Sequence, residues 1–169
     1  MFELKTLSKD AIPAALAQAE RYRLLNEPAE AESICLDILK IDADQQDALA
    51  TLILACTDQF SDGYIVRAMS QAERALKSVR DEYKRLYLTG IIRERRGKAE
   101  LRHDRPGTGR AAQQWIREAM TCYERAEAIH PPGTDEALLR WNTCARLIMR
   151  DQRLMAPLAD ERPEPLFLE

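Results

Sequence analysis

A catalytic centre needs a nucleophile, a base and a group that holds developing charge. For that work the chain offers two histidines and four cysteines. His130 directly precedes Pro131-Pro132 at an expected helix end, where its ring can meet the last carbonyls and the negative end of the dipole. His103 lies in a run of charges. Capping and surface exposure are the roles expected of the two, rather than proton transfer. Cys35, Cys56, Cys122 and Cys144 stand 21, 66 and 22 residues apart, which is no metal-ligand spacing. Each falls among apolar residues at helical period and reads as a packing thiol. No Gly-x-x-x-x-Gly-Lys-Ser/Thr run occurs, and neither Gly97-Lys98-Ala99 nor Gly107-Thr108-Gly109 extends to a phosphate-cradling loop. The expectation is a protein with no catalytic residue, no metal and no cofactor.

Binding chemistry has more material. Arg93, Arg95, Arg96, Lys98, Arg102, Arg105 and Arg110 place seven positive charges in eighteen residues, against Glu94, Glu100 and Asp104. One reading is a basic edge for an acidic partner or a nucleic acid. The other is a solvated helix end and insertion loop, with Arg93, Arg95 and Arg96 favoured by the dipole. No aromatic residue lies within the run to stack on bases, which makes nucleic acid the weaker alternative. Trp115 and Trp141 are candidates for interface anchors, but a tryptophan on such a helix is more often core, and core is expected. Asn142 and Thr143 are poor helix formers in a helical stretch, which suggests a buried hydrogen bond.

The secondary structure that carries these residues is set by periodicity. Apolar residues three and four apart run along most of the chain, and no stretch alternates as a half-buried strand does. Asn26-Glu27-Pro28, Asp42-Ala43-Asp44, Ser61-Asp62-Gly63, Arg80-Asp81, Arg105 to Gly109 and His130 to Asp135 interrupt the period. Pro28 suits a first helical turn and Asp44 an N-cap. Seven helices are expected, near 10–26, 28–41, 45–58, 64–80, 82–97, 109–130 and 134–151, in antiparallel pairs. Residues 1–9 precede this domain of 10–153.

Small and large residues recur in phase through the pairs. The first hairpin has Ala15, Gln18, Ala19 and Tyr22, then Ala31, Cys35, Ile38 and Ala43. The second has Leu49, Leu52, Ile53 and Cys56, then Ala72, Leu76 and Val79 after an insertion. The third has Leu86, Thr89 and Gly90, then Ala119-x3-Tyr123-x2-Ala126-x4-Pro131. Over roughly residues 12–150 this resembles the tetratricopeptide-repeat family, with its helical pairs of about 34 residues. The starting Trp of that pattern is missing from all three units, and the second and third are stretched. The resemblance implies an all-α, right-handed stack of about three hairpins, with Glu136 to Met149 as a solvating cap. It also implies a concave groove that takes a peptide or a partner's helix. At matching positions that groove displays Leu16, Glu20, Arg23, Leu54, Asp58, Lys84, Tyr87, Ile91 and Glu94. Specificity is expected from Glu20, Arg23, Lys84 and Glu94. Of the carboxylate clamp some members use, only Lys84 is in place, which argues against binding of chaperone tails.

Composition agrees with such a protein. Of the 169 residues 46% are hydrophobic and 31% charged, a balance that can fold around a core. No apolar run approaches the ~18 residues of a membrane span. The start has no long apolar stretch of a secretory signal, so a cytoplasmic protein with reduced thiols is expected. Charge alternates along the chain: −4 over 1–80, +4 over 81–153 and −3 over 154–169. The last stretch holds three prolines and closes on Leu166-Phe167-Leu168-Glu169. It is read either as a frayed terminus or as a segment docking in a groove, its own or a neighbour's, against the basic 93–110 edge. The function expected is a non-catalytic adaptor or assembly module for a protein segment, with a homodimer possible through the open ends of the stack.

Overall fold

The computed structural model describes residues 2–155, apart from Asp62, Tyr64, Asp104 and the side chain of Ser61. The described residues form seven α-helices and no strand: α1 (Ile12–Leu24), α2 (Pro28–Ile41), α3 (Gln46–Asp58), α4 (Ile65–Leu76), α5 (Glu82–Leu101), α6 (Thr108–Glu127) and α7 (Glu136–Arg150). Three short 3-10 turns, Lys9–Ala11, Gln59–Ser61 and Gln152–Leu154, complete the regular structure.

The punctuation seen in the sequence works locally, with two shifts. Asn26 closes α1 in the left-handed region at φ 61°, and Pro28 opens α2, where a missing N–H costs nothing. The cap of α3 is Gln45 rather than Asp44: its side chain accepts from the Ala48 amide at 2.8 Å. Asp44 is instead ion-paired with Arg80. Asp81 caps α5, accepting from the Lys84 amide at 2.7 Å. Helix α4 ends at Leu76, short of residue 80, and the chain tightens into i→i+3 bonds that keep Val79 buried. Helix α5 runs past residue 97 to Leu101, so Arg93, Arg95 and Arg96 stand inside a helix and not at its end. The stretch of the third unit is absorbed by lengthening both helices of the pair to 20 residues each.

Helices pair as α1–α2, α3–α4 and α5–α6, and the second helix of each pair meets the first of the next. The first helices also touch, α1 with α3 and α3 with α5, while α7 packs on α6. The result is a stack of three hairpins closed by α7. Most positions of the recurring pattern carry the contacts: Ala19, Ala31, Cys35, Ile38, Leu49, Leu52, Ile53, Cys56, Ala72, Val79, Gly90, Ala119, Tyr123 and Ala126 are all buried. Small residues let the axes approach and large ones fill the spaces between them. The axes of α5 and α6 come close at Gly90, where an added Cβ would stand 2.4 Å from the Tyr123 ring. Of the other pattern positions, Ala15, Tyr22, Leu76, Leu86 and Thr89 are half-buried, and Gln18, Ala43 and Pro131 are exposed.

Neither tryptophan is fully buried as a core residue would be, although Trp141 packs against the main core cluster from α7. Trp115 is half-buried beneath the guanidinium groups of Arg93 and Arg96, 5.0 and 5.8 Å from its centroid. Trp141, also half-buried, donates its Nε1–H to Glu124 at 2.8 Å. Each ring covers apolar surface while keeping a polar or cationic partner at the solvent edge. Thr143 is exposed and donates back to the Leu139 carbonyl, so it makes no buried hydrogen bond. Helix α7 buries Ala137 and Cys144 against the stack but leaves Leu139 and Met149 more than half exposed, a less polar cap than expected. Among the described residues no helix is long and apolar enough to cross a membrane.

Candidate functional site

The face formed by the first helices, α1, α3 and α5, together with α7, carries most of the side chains singled out from the sequence. Seven of the nine groove candidates reach its surface. Glu20 and Lys84 are exposed; Leu16, Arg23, Leu54, Asp58 and Tyr87 are half-buried. Leu16 does so at the edge, packed on Ile12, Ile38 and Ala48. Three open clefts interrupt the face. One of about 370 Å³ between α1 and α3 is lined by Glu20, Arg23, Asp47 and Leu54. One of about 460 Å³ between α5 and the start of α7 is lined by Tyr83, Lys84, Tyr87 and Leu139. The third, about 310 Å³, is central and lies among α3, α5 and α7.

Two of the nine candidates are corrected. Ile91 is 2% exposed and belongs to the core. Gly90 and Ile92 beside it are buried too, because this turn of α5 packs against its neighbours on every side, Gly90 against the Tyr123 ring. Glu94 is wholly buried, and it is a structural carboxylate rather than a displayed one. It accepts from the Tyr123 hydroxyl at 2.7 Å and from Arg140 Nη1 at 3.3 Å, and it is ion-paired with Lys98 one helical turn away. Burial pushes this carboxyl upward, but the hydrogen bonds from Lys98 and Tyr123 and the charges of Lys98 and Arg140 outweigh it and hold Glu94 below the usual carboxylate range.

The central cleft joins the two sites that the sequence kept apart. Arg95, Lys98 and Arg102 come to it from the basic run, Asp58 and Glu94 from the groove set, and Arg140 from α7. Arg95 is about one-fifth exposed and turns across to α3, where Nη1 donates to the Leu54 carbonyl at 3.1 Å and Thr57 Oγ1 at 2.6 Å and pairs with Asp58. Arg23 takes the other oxygen of Asp58 at 2.9 Å. One acidic residue thus ties the first helices of all three hairpins together. The alternating charge blocks of the sequence are in part spent here, because the acid comes from the first block and Arg95 from the second. Arg140 was legible as a charge on the apolar stripe Ala137, Trp141, Cys144, a position that asks for a buried partner.

The basic run does not form one edge. Arg93 and Arg96 face α6 and lie over Trp115, with Arg96 also paired to Glu100. Arg95 and Lys98 face the opposite way, into the central cleft. Arg102, Arg105 and Arg110 are exposed around the α5–α6 corner. The aromatic partner missing from the run itself is supplied from α6, but it is covered by two arginines. The stretch 156–169 expected to meet this edge lies outside the described residues.

Of the groups first weighed for catalysis, Cys35, Cys56 and Cys144 are buried and Cys122 is half-buried. Burial pushes the thiols of Cys35, Cys56 and Cys144 up to about 12, where little nucleophilic thiolate exists near neutrality. His130 Nδ1 is hydrogen-bonded to the Glu127 carbonyl at the end of α6, and His103 is exposed. No group of three or more His, Cys, Asp or Glu among the described residues could hold a metal ion. Comparison of the chain with protein-family models, with curated proteins and with solved structures finds no match to any of them.

Proposed function

We propose that this chain is a degenerate member of the tetratricopeptide-repeat family and acts as a non-catalytic adaptor, binding a protein segment along the face of its first helices. The observation that carries this reading is the row of three open clefts on one face, each lined by a mixture of apolar and charged side chains. Each is open to solvent and has room for one or two side chains of a bound segment. Such a row suits an extended peptide or an amphipathic helix laid across the stack. Tyr87 and Leu139 provide apolar contact, and Glu20, Arg23 and Lys84 provide register. Micromolar affinity, about −8 kcal/mol, is the scale expected. A cytoplasmic setting suits the four unpaired thiols.

The decisive variant pair is Lys84→Glu with Tyr87→Ala, both surface positions. Affinity capture followed by mass spectrometry should retain a protein with the wild type at low and high salt, and lose it with the pair while helicity stays constant. Identical retention by both proteins would refute the reading. The division of the basic run between two faces argues against its use as a nucleic-acid track, since phosphate tracking needs a continuous stripe.

A further inference from the structure

The central cleft carries more positive than negative charge: Arg95, Lys98, Arg102 and Arg140 against Asp58 and Glu94. Both acids are already engaged, Asp58 by Arg23 and Arg95, Glu94 by Tyr123, Lys98 and Arg140. The surplus is at the end of α5. Arg102 is exposed and has no ion pair among the described residues, and Lys98 keeps over a third of its side chain in solvent.

The chain leaves the described structure at that same corner. Leu154 is fully buried, and its carbonyl accepts from Gln113 Nε2 at 2.7 Å. Arg153 Nη1 donates to the carbonyl of Leu101, the residue before Arg102, at 3.1 Å. The backbone of residue 153 lies directly on α6 at Gly109, where a Cβ would meet the Arg153 carbonyl oxygen at 2.8 Å. Residue 155 is therefore anchored beside the surplus charge. The next fourteen residues, 156–169, hold Asp160, Glu161, Glu164 and Glu169 against Arg162. A segment of that length reaches up to about 46 Å, more than the ~30 Å length of α5, so every point of the cleft is within range.

We propose that the central cleft is a receptor for an acidic peptide segment, and that residues 156–169 of the same chain are its occupant. The carboxylates of that segment meet Arg102, which has no ion pair among the described residues, and the solvent-exposed side of Lys98. Tethering supplies an effective concentration of order 1 mM, so a contact too weak to matter between separate molecules is populated here. This occupancy is independent of the adaptor reading, because its test involves no partner.

The experiment tracks cleavage of the Glu161–Arg162 bond by a glutamate-specific protease in the full-length protein, with a synthetic peptide of residues 156–169 as the unbound reference. Taking a Kd near 0.2 mM, about sixfold slower cleavage than the peptide is expected at low salt. That protection is expected to vanish at about 0.5 M salt and in Arg102→Glu with an unchanged circular dichroism spectrum. It should also be constant over about a hundredfold dilution, as for any intramolecular contact. Cleavage at the peptide's rate in the wild type at low salt would overturn the proposal. So would protection indifferent to both salt and Arg102→Glu, and protection lost on dilution would move the contact to a neighbouring molecule and overturn the assignment to the same chain.

Discussion

Removing the charge of Glu94 strands Lys98 and Arg140 and weakens the bond that fixes the Tyr123 hydroxyl. The carboxyl is buried, but Lys98 and Arg140 are each about a third exposed, so solvent offsets part of the loss and the cost is about 1–3 kcal/mol. Glu94→Gln is expected to lower stability by that order in urea denaturation at neutral pH. The carboxyl is held below its ordinary value in the folded protein, so its stabilisation is present above the unfolded pKa and fades as pH falls through the folded one. Denaturation midpoints followed from pH 7 to 3 should therefore drop for the wild type and converge on those of Glu94→Gln at the acid end. Glu32, held low against burial by hydrogen bonds from Arg67 and Gln59, contributes a slope of the same sign to both proteins. Ile91 and Tyr87, one turn apart on α5 in the groove expected from the sequence, should part company. Ile91→Asp places a charge in the core and is expected to unfold the protein, read as lost helical circular dichroism. Tyr87→Ala alters a half-buried face residue and is expected to leave the spectrum intact.

At the scale of elements, α5 and α6 form the pair on which the rest is built. Both have 20 residues, and their contact includes Gly90 against Tyr123 and Gly97 against Ile116. A glycine inside an exposed helix is usually improved by alanine, by about 1 kcal/mol. At Gly90 the sign should reverse. A Cβ 2.4 Å from a fully buried ring forces either Tyr123 or the helix axis to move, and overpacking of this sort costs about 1–3 kcal/mol. Gly90→Ala is thus expected to lower Tm, and an unchanged or raised Tm would show that the pair can open without penalty. Thiol labelling probes the same packing. Cys122 is partly exposed on α6 whereas Cys35, Cys56 and Cys144 are buried, so Cys122 should react first in the native protein and the other three only on unfolding.

At the scale of the whole molecule, a stack in which hairpins contact their neighbours has ends weaker than its middle. Helix α1 buries only Ile12 and Ala19 and ends on the exposed Leu24 and Leu25. By contrast α3 buries eight of its 13 residues and is held between α2, α4 and α5. Native-state hydrogen exchange should find α1 opening with the lowest free energy and α3 and α5 with the highest. Equal protection across α1 and α3 would mean that the hairpins unfold as one unit. The Arg23–Asp58–Arg95 tie makes α1 partly dependent on α5. Asp58→Asn should therefore speed exchange in α1 while leaving α6 unaffected, a long-range effect of a partly exposed pair that surface ion pairs rarely show.

The helices, their pairing and most of the interface positions were legible in the residue string, because helical period, caps and small residues act over a few positions. Pro28, Asn26 and Asp81 each set an end by local backbone chemistry, and Ala119-x3-Tyr123-x2-Ala126 marked the buried face of α6 without reference to any other helix. What sequence could not settle was the direction of side chains that answer to partners far along the chain. Glu94 and Arg95 are neighbours, yet one is buried by Tyr123 and Arg140 from α6 and α7, and the other is drawn out to Asp58 on α3. The basic run looked like one edge because charge was counted along the string, whereas a helix distributes successive residues around its axis. Only the packing of α3, α5 and α7 decided which cations are neutralised and which remain to meet a ligand, since burial and opposite charge are properties of neighbours in space.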